Sequence, residues 1–580
     1  MRGIVIKETD TTKAPVHSGG DRRLVAGALA VALLVASPVL AIVVIALSPS
    51  GDVWNHLVTT VLPGYASNTL QLMIGVGVVT FLIGTGCAWL VTMYAFPGRR
   101  VVDWLLMLPL AIPTYIIAYV YVDLLNYAGS IQSVLRITFA WEHKGDYWFP
   151  EIRSLGGAIF VMSFVLYPYV YLTARSAFVQ QSLQLIEASR TLGHTLGSSF
   201  LRVALPLARP AIAAGVILAL MECLNDLGAV QYFGVNTLTA GVYSTWLHRN
   251  DLGGAAQIAV VMLVFVFSLV LIERWARRGK RFIQSTGREQ APSRKRLLGA
   301  RRWIALLICL FPIVLGFAIP AGVLVVFALR RFETQNIGQF LSEALNSLTL
   351  SVLAACIAVL IGLFLAHAAR TSRVMPVRIA TLAASIGYAV PGTVLAIGIL
   401  VPLARFDNSL DAFTREVFDI STGLLLTGSM FSIVFAYVVR FMAVSYGAID
   451  AGYSRLSPNF HMAARSLGRS PIGALKDVQL PLMKPAIMAA ALLVFVDSMK
   501  ELPATLLLRP FDFDTLATRV YTYASLSRVE DAALSALAIV VVGIVPVLVL
   551  NRTMSLATAG VAQIHEISAT DLQESSTRRA

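Results

Sequence analysis

The chain alternates long apolar runs with short polar segments over almost its whole length. A helix needs about 20 mostly apolar residues to cross the hydrocarbon layer of a bilayer, and twelve runs reach that length. The predicted spans are 24–47, 68–95, 101–125, 156–179, 207–230, 254–275, 303–329, 344–369, 376–403, 422–446, 482–508 and 532–551. The pattern predicts an all-α polytopic membrane protein.

Composition agrees with this prediction. Of the 580 residues, 57% are hydrophobic and 13% are charged, whereas about a quarter of the residues in soluble proteins are charged. This balance excludes an ordinary soluble enzyme. The first apolar run is about twice as long as the core of a signal peptide and is followed by no obvious cleavage pattern. We therefore expect it to be a true span.

The net charge of +14 reflects the side of the membrane on which Lys and Arg lie. When alternate loops are assigned to opposite sides, 34 of the 46 basic residues, Arg440 among them, fall on the side of the N-terminus, and 11 fall on the other side. Basic residues are enriched in cytoplasmic loops, so both termini are predicted to be cytoplasmic. The basic excess gives no reason to expect nucleic acid as a partner.

The second half of the chain repeats the first. The segment Asn68-Thr-Leu returns as Asn346-Ser-Leu at an offset of 278, and Leu205-Pro206 returns as Leu480-Pro481 at an offset of 275. Each half has six predicted spans, and an even number gives both copies the same orientation, as in transporters with parallel repeats. We therefore expect a translocation path between the two halves.

The repeat divides the chain into five segments. They are a cytoplasmic N-terminal tail at 1–23, a first six-span repeat at 24–275, a basic cytoplasmic linker at 276–302, a second six-span repeat at 303–551 and a cytoplasmic C-terminal tail at 552–580. The stretch from Arg274 to Arg302 holds 11 of the basic residues, as expected of a cytoplasmic joint.

In each half, the loop between the fourth and fifth spans carries a short amphipathic segment. The copies are Glu187-Ala-Ser-Arg-Thr-Leu-Gly193 and Met462-Ala-Ala-Arg-Ser-Leu-Gly468, and a Leu-Pro pair follows each at the same distance. Alanine-rich turns favour a helix, and a glycine permits the sharp turn after it. The sequence predicts two short helices under the membrane that are available for docking. Two copies with identical spacing make an ordinary interfacial helix the weaker interpretation.

This spacing resembles the EAA loop of binding-protein-dependent ABC importer permeases. The resemblance extends from the second span to the twelfth and implies the type I importer permease fold in a bacterial inner membrane. It also implies an ABC ATPase dimer and an extracytoplasmic substrate-binding protein as partners. The ATPase-coupling residues that it implies are Glu187, Ala188, Arg190, Gly193, Ala463, Arg465 and Gly468. Met462 replaces the leading Glu in the second copy, so we expect the two ATPase contacts to differ.

Three other segments are similar to the ferric-iron ABC permease family. They are Lys500-Glu-Leu-Pro-Ala-Thr-Leu-Leu-Leu-Arg-Pro510 with its continuation to Tyr521, Asn225-Asp-Leu-Gly228 with Tyr232 to Tyr243, and Leu108 to Tyr119. Fusion of two halves in one chain is also typical of that family. The resemblance implies ferric iron as the substrate. Related permeases for thiamine and aminoethylphosphonate share the layout and stand as alternatives.

The sequence contains no phosphate loop of the form GxxxxGK[ST], and its one Gly-Lys pair is Gly279-Lys280 in the linker. Such a loop holds the phosphates of ATP in many ATPases. We therefore expect a non-catalytic subunit without a cofactor of its own, with ATP and Mg bound by the partner ATPase. An ion-driven secondary carrier is the alternative, although the doubled loop has no role in a carrier. A membrane enzyme is disfavoured, since no set of nucleophile and base appears.

Five charged residues interrupt the apolar runs of the fifth and eleventh spans. They are Glu222, Asp226, Asp497, Lys500 and Glu501. The two carboxylates of the first half lie four residues apart, which places them on one helix face, and the carboxylates of the second half repeat them at an offset of 275. Ionisable residues within a span usually face a cavity or a partner. We expect them to border the path and favour a cation, or to close a gate through ion pairs, and we assign no metal ligands.

Overall fold

The computed structural model describes residues 22–47, 53–180, 188–277, 294–372, 374–454, 456, 460, 463–464 and 466–549. Within these ranges, 11 helices are long and apolar enough to cross a membrane. A pair of helices bent by 90° between residues 99 and 139 raises the number to 12 if it counts as one span. The predicted all-α polytopic fold with about twelve spans is confirmed.

The first half begins with a long apolar helix and ends with another. Its helices are α1 (Arg22–Ala46), α2 (Leu62–Met93), α3 (Arg99–Leu105), α4 (Thr114–Leu125), α5 (Ser130–Phe139), α6 (Leu155–Gln180), α7 (Leu205–Asn225), α8 (Gly228–Tyr232), α9 (Leu238–Leu247) and α10 (Leu252–Arg277). A two-residue strand, β1 (Tyr94–Ala95), follows α2 and pairs in parallel with β2 (Lys295–Arg296) of the linker.

The second half repeats this order. Its helices are α11 (Ala300–Ile313), α12 (Ile319–Arg331), α13 (Ile337–Thr371), α14 (Met375–Ile386), α15 (Gly392–Phe418), α16 (Phe431–Ser454), α17 (Leu480–Met499), α18 (Pro503–Leu508), α19 (Leu516–Ser525) and α20 (Val529–Val549). Long helices thus carry the apolar runs, and short helices carry the segments between them.

Four spans contain a single π-helical turn just before a proline. The turns are Leu57–Val61, Phe200–Ala204, Val314–Ala318 and Leu475–Gln479, and each precedes a proline near the start of α2, α7, α12 or α17. Proline lacks an N–H group, and its ring crowds the carbonyl four residues earlier. A wider turn relieves this crowding, so each span continues through its proline.

Polar side chains at the start of α2 and α13 make the same contacts in both halves. In each half, an Asn amide and a hydroxyl bind the backbone just before α9 or α19. The bonds are Asn68 Nδ2 to Asn236 O (3.0 Å), Leu238 N to Thr69 Oγ1 (2.9 Å), Asn346 Nδ2 to Asp514 O (3.0 Å) and Leu516 N to Ser347 Oγ (2.8 Å). The repeated Asn-Thr-Leu and Asn-Ser-Leu segments therefore hold equivalent helices in place.

The first helix of each half packs against the other half. A Cβ on Gly398 of α15 would lie 2.2 Å from the carbonyl oxygen of Pro38 in α1. A Cβ on Gly316, just before α12, would lie 2.2 Å from the carbonyl oxygen of Phe164 in α6. Glycine is required at both crossings because only hydrogen fits there. Because the first helix of each half packs on the other half, these contacts hold the two halves together.

The spans predicted at 101–125, 376–403 and 422–446 are among those that differ in shape from the prediction. The spans 101–125 and 376–403 bend at Pro113 and Pro391, which have extended backbone before α4 and α15; proline restricts the backbone at such a position. The span predicted at 422–446 is α16, which begins at Phe431. Residues 426 and 427 are held by the buried carboxylate of Asp407, which accepts from the backbone N–H of Thr427 at 2.9 Å, and they form a loop instead.

Candidate functional site

The helices that carry the predicted site residues are broken. α7 stops just before Asp226, which has extended backbone with φ −73° and ψ 115°, and α17 stops just before Lys500. The predicted continuous spans 207–230 and 482–508 are therefore wrong near their C-terminal ends. The placement of Asp226 and Glu222 on one continuous helix face is wrong for the same reason.

Each break is stabilised by the carboxylate that follows it. Asp226 Oδ1 accepts from the backbone N–H of Ala229 at 2.8 Å, at the start of α8. Glu501 accepts from the backbone N–H groups of Ala504 and Thr505 at 3.0 and 3.1 Å, at the start of α18. A negative charge is favourable at a helix N-terminus, where backbone N–H groups lack partners. The short helices therefore satisfy carboxylates that an unbroken span would leave unbonded.

All five predicted residues line one cavity. Its wall comes from both halves, and eight pairs of lining residues are equivalent by the repeat offsets. The pairs are Leu110 and Tyr388, Val165 and Arg440, Leu166 and Phe441, Glu222 and Asp497, Asn225 and Lys500, Asp226 and Glu501, Leu227 and Leu502, and Gly228 and Pro503. The cavity therefore lies on the axis that relates the two halves.

The second half contributes two ion pairs to the wall. Lys500 Nζ lies 2.9 Å from Asp497 Oδ1, and both side chains are about a quarter exposed, at 25% and 23%. Arg440 Nη1 lies 3.1 Å from Glu501 Oε1, and both side chains are buried. The prediction that Arg440 lies in a loop is wrong, since this residue is in the middle of α16. A charge within an apolar run was the signal that could have identified it.

The two carboxylates of the first half have neutral partners, one from each half. Tyr388 donates its hydroxyl hydrogen to Glu222, and Thr114 donates its hydroxyl hydrogen to Asp226. The position equivalent to Thr114 is Gly392 in the second half, where a Cβ would lie 2.4 Å from Arg440 Nη1. The glycine leaves the space that the guanidinium group occupies. The two halves therefore place equivalent carboxylates but give them different partners.

Further polar atoms in the wall are buried without a hydrogen-bond partner in the described part of the chain. They include both side-chain polar atoms of Asn225 and the hydroxyl group of Tyr115. Buried polar groups are normally paired, so these atoms can bind a guest in the cavity. In the ranges that the structure covers, no group of three or more His, Cys, Asp and Glu could hold a metal ion.

The two amphipathic loops end in the same turn. Gly193 and Gly468 have φ values of +88° and +83°, a left-handed conformation that glycine adopts most readily. Just after them, His194 N donates to Ser189 O at 3.2 Å and Arg469 N donates to Ala464 O at 3.1 Å. These bonds close the end of each short helical segment. Residues 188–191, 463, 464 and 466 are helical, and the predicted glycine turn follows in both halves.

These loops present apolar side chains to their surroundings. Leu192 is 80% exposed and its repeat equivalent Leu467 is 84% exposed; sequence analysis did not single them out. Among the predicted coupling residues, Ala188, Arg190 and Ala463 are exposed. Glu187 and Arg465 lie outside the described residues, as do Met462, the predicted tail segments 1–21 and 552–580, and the linker segment 278–293.

Comparison with known proteins supports the division into two halves. The family described as "Binding-protein-dependent transport system inner membrane component" matches the chain twice, at residues 80–282 and 358–562. The Fe(3+)-transport system permease protein FbpB 2 of Haemophilus influenzae is 25% identical over 84% of this chain and 89% of its own length.

Other relatives match part of the chain. The sulfate transport system permease protein CysT of Escherichia coli is 31% identical over 34% of this chain and 72% of its own length. The molybdenum transport system permease protein ModB of Escherichia coli is 26% identical over 37% of this chain and 94% of its own length. The two family matches together cover more than half of the residues. The chain therefore belongs to the family of binding-protein-dependent transport system inner membrane components, as a permease with two fused halves.

Proposed function

We propose that the chain is the membrane subunit of an ATP-driven importer for ferric iron, which an extracytoplasmic binding protein delivers. The observation that carries this proposal is the cavity on the repeat axis, whose wall contains four carboxylates against Arg440 and Lys500. Excess negative charge favours a cation, and oxygen ligands suit a hard ion. The similarity to an Fe(3+)-transport permease over most of both chains supports the same substrate.

An oxyanion is the second candidate. The sulfate and molybdenum permeases among the relatives match about a third of the chain, and Arg440 and Lys500 could attract an anion. Both cations already have carboxylate partners at 3.1 and 2.9 Å, however. The charge left over in the wall is negative, which favours the cation.

We further propose that an ATPase dimer binds the two amphipathic loops on the cytoplasmic side, where both termini lie. The exposed side chains of Leu192 and Leu467 offer each ATPase subunit an apolar contact at the same place. ATP binding and hydrolysis then move the halves, and the cavity alternates between outward and inward access. The residues at the breaks before α8 and α18 are suited to this movement, because their carboxylates can exchange partners.

Uptake of labelled ferric ion tests this function in a strain that lacks its own copy of the chain. We expect uptake that vanadate blocks and that sulfate, molybdate, thiamine and aminoethylphosphonate do not compete away. Uptake that an ionophore blocks and vanadate leaves intact would instead indicate an ion-driven carrier. Competition by one of the four compounds would identify the substrate as that compound.

The role of the cavity is tested by removing its charges. We expect Asp226→Asn and Glu501→Gln to reduce uptake at least tenfold while the complex with the ATPase still assembles. Glu142→Gln is the matched control, because this exposed carboxylate lies outside the cavity. Unchanged uptake in the two cavity variants would refute a path through this cavity.

A further inference from the structure

A cluster of arginines forms where the linker meets the first half. The parallel pairing of β1 with β2 places Tyr94 opposite Lys295 and Ala95 opposite Arg296. Leu297 N adds a bond of 3.1 Å to the carbonyl oxygen of Ala95. This pairing brings the basic end of the linker beside the two arginines that open α3.

The cluster has little negative charge to balance it. Arg99 and Arg294 each lie within electrostatic range of Arg100 and Arg175. In the part of the chain that the structure covers, Asp103 is the only carboxylate whose charge acts on Arg99 or Arg294.

Asp103 is already engaged by another arginine. Arg175 donates to its two carboxylate oxygens at 2.6 and 2.7 Å, and Tyr171 donates its hydroxyl hydrogen at 2.6 Å. Arg99 is half-buried and donates to the carbonyl oxygen of Val91 at 3.1 Å. Arg100 and Arg294 are exposed, and neighbouring charges of one sign repel each other. The cluster therefore has the charge and the donors to bind an anion.

The surface beside the cluster is apolar. α11 packs against α3, and from Trp303 onward its exposed side chains are apolar, among them Trp303, Ile304 and Leu307 at 50, 53 and 64% exposure. The guanidinium carbon of Arg302 lies 5.3 Å from the ring centre of Trp303. Tryptophan is typical of the membrane–water interface. The arginines thus lie at headgroup depth, with an apolar flank continuing into the bilayer.

We propose that Arg99, Arg100 and Arg294 bind the phosphate group of an anionic phospholipid whose acyl chains lie along the exposed flank of α11. Arginine matches the geometry of phosphate with two parallel donors, and basic pockets at this depth suit anionic headgroups. The lipid would join three parts of the chain: the start of α3, the end of the linker and the first helix of the second half. A site of this kind is independent of the substrate that the cavity carries.

Native mass spectrometry of the full chain with added phosphatidylglycerol tests the proposal, with phosphatidylcholine as the neutral comparison. We expect Arg100→Gln combined with Arg294→Gln to weaken phosphatidylglycerol binding about thirtyfold. This corresponds to the loss of two contacts of ~1 kcal/mol each, at 1.4 kcal/mol per tenfold change. Arg370→Gln combined with Arg378→Gln removes two exposed arginines elsewhere and should keep the binding of the unaltered chain.

The corresponding Lys variants, Arg100→Lys with Arg294→Lys, should recover most of the binding, which separates charge from misfolding. Three results would overturn the proposal. One is equal affinity of the unaltered chain for the anionic and the neutral lipid, and another is unchanged binding in the double Gln variant. The third is displacement of the lipid by inorganic phosphate, which would identify the site as one for a soluble anion.

Discussion

The buried pair of Arg440 and Glu501 gives the sharpest test of how the cavity is held together. Arg440 is 6% exposed and Glu501 is 4% exposed, so water could solvate either charge only weakly if the other were removed. Replacing Arg440 by Leu leaves the carboxylate buried and uncompensated, which typically costs about 3–5 kcal/mol. The backbone N–H groups of α18 still bind Glu501. We therefore expect the free energy of unfolding to fall by about 3 kcal/mol, the lower end of that range.

The second variant of this test removes the charge as well. Arg440→Leu combined with Glu501→Gln leaves no buried charge, and the Gln side-chain oxygen can still accept from Ala504. We expect the double variant to be more stable than Arg440→Leu alone, with a coupling energy of about 2–3 kcal/mol. Thr114→Val is the matched change in the first half. It removes one hydrogen bond to a carboxylate and should cost about 1.5–3 kcal/mol.

Equilibrium unfolding of the purified chain in mixed detergent micelles, followed by far-ultraviolet circular dichroism, measures these differences. Additive effects of the two substitutions would refute the reasoning, because additivity means that the charges do not stabilise each other. A smaller loss in Arg440→Leu than in Thr114→Val would refute it independently. Size-exclusion profiles of all variants confirm that each one starts from a folded state.

Three further changes have expected outcomes. Gly468→Ala forces a side chain into a left-handed backbone conformation, at a cost of about 1–2 kcal/mol. We expect faster hydrogen exchange in the loop that contains it. Gly447→Ala is the control: this helical glycine has open space around it, so its replacement should leave stability unchanged or raise it. Ser347→Ala removes the bond to the backbone before α19 and should lower unfolding stability by about 1 kcal/mol, measured by the same denaturation. Tyr388→Phe leaves Glu222 without its hydroxyl partner. It should lower the free energy of unfolding by about 1.5–3 kcal/mol and alter uptake. A variant as stable as the unaltered chain would contradict that contact.

The sequence was sufficient to predict most of the spans, the repeat and five of the six charged residues of the cavity, Arg440 being the exception. Apolar length determines where a helix can cross a bilayer, and the repeat offset relates Glu222 to Asp497 without any knowledge of the fold. It also places Asp226 and Glu501 at equivalent positions, and the structure brings all four carboxylates to one wall. Periodicity and spacing are local properties, which is why they can be read from one chain.

The helix breaks and the partners of the charges could not be predicted in the same way. Apolar composition is the same whether a helix continues or stops, so the run at 207–230 gives no sign that α7 ends before Asp226. The carboxylate of Asp226 caps α8 through the backbone N–H of Ala229, three residues later, but an Asp within an apolar run can also face a cavity from an unbroken helix. Likewise, Tyr388 meets Glu222 across 166 positions of the sequence, and no local pattern records that contact.

The carboxylates of the two halves have different partners, and this difference affects how the cavity would interact with an ion. Arg440 and Lys500 occupy positions that are Val165 and Asn225 in the first half, so the second half carries both cations and its two carboxylates are paired. The first half contributes two carboxylates whose partners are neutral hydroxyl and backbone groups. Under the proposed function, a positive guest would be attracted to the wall of the first half, and the ion pairs of the second half would keep the adjoining break closed. Attraction and closure would then rest on different halves, a division that two identical halves could not provide.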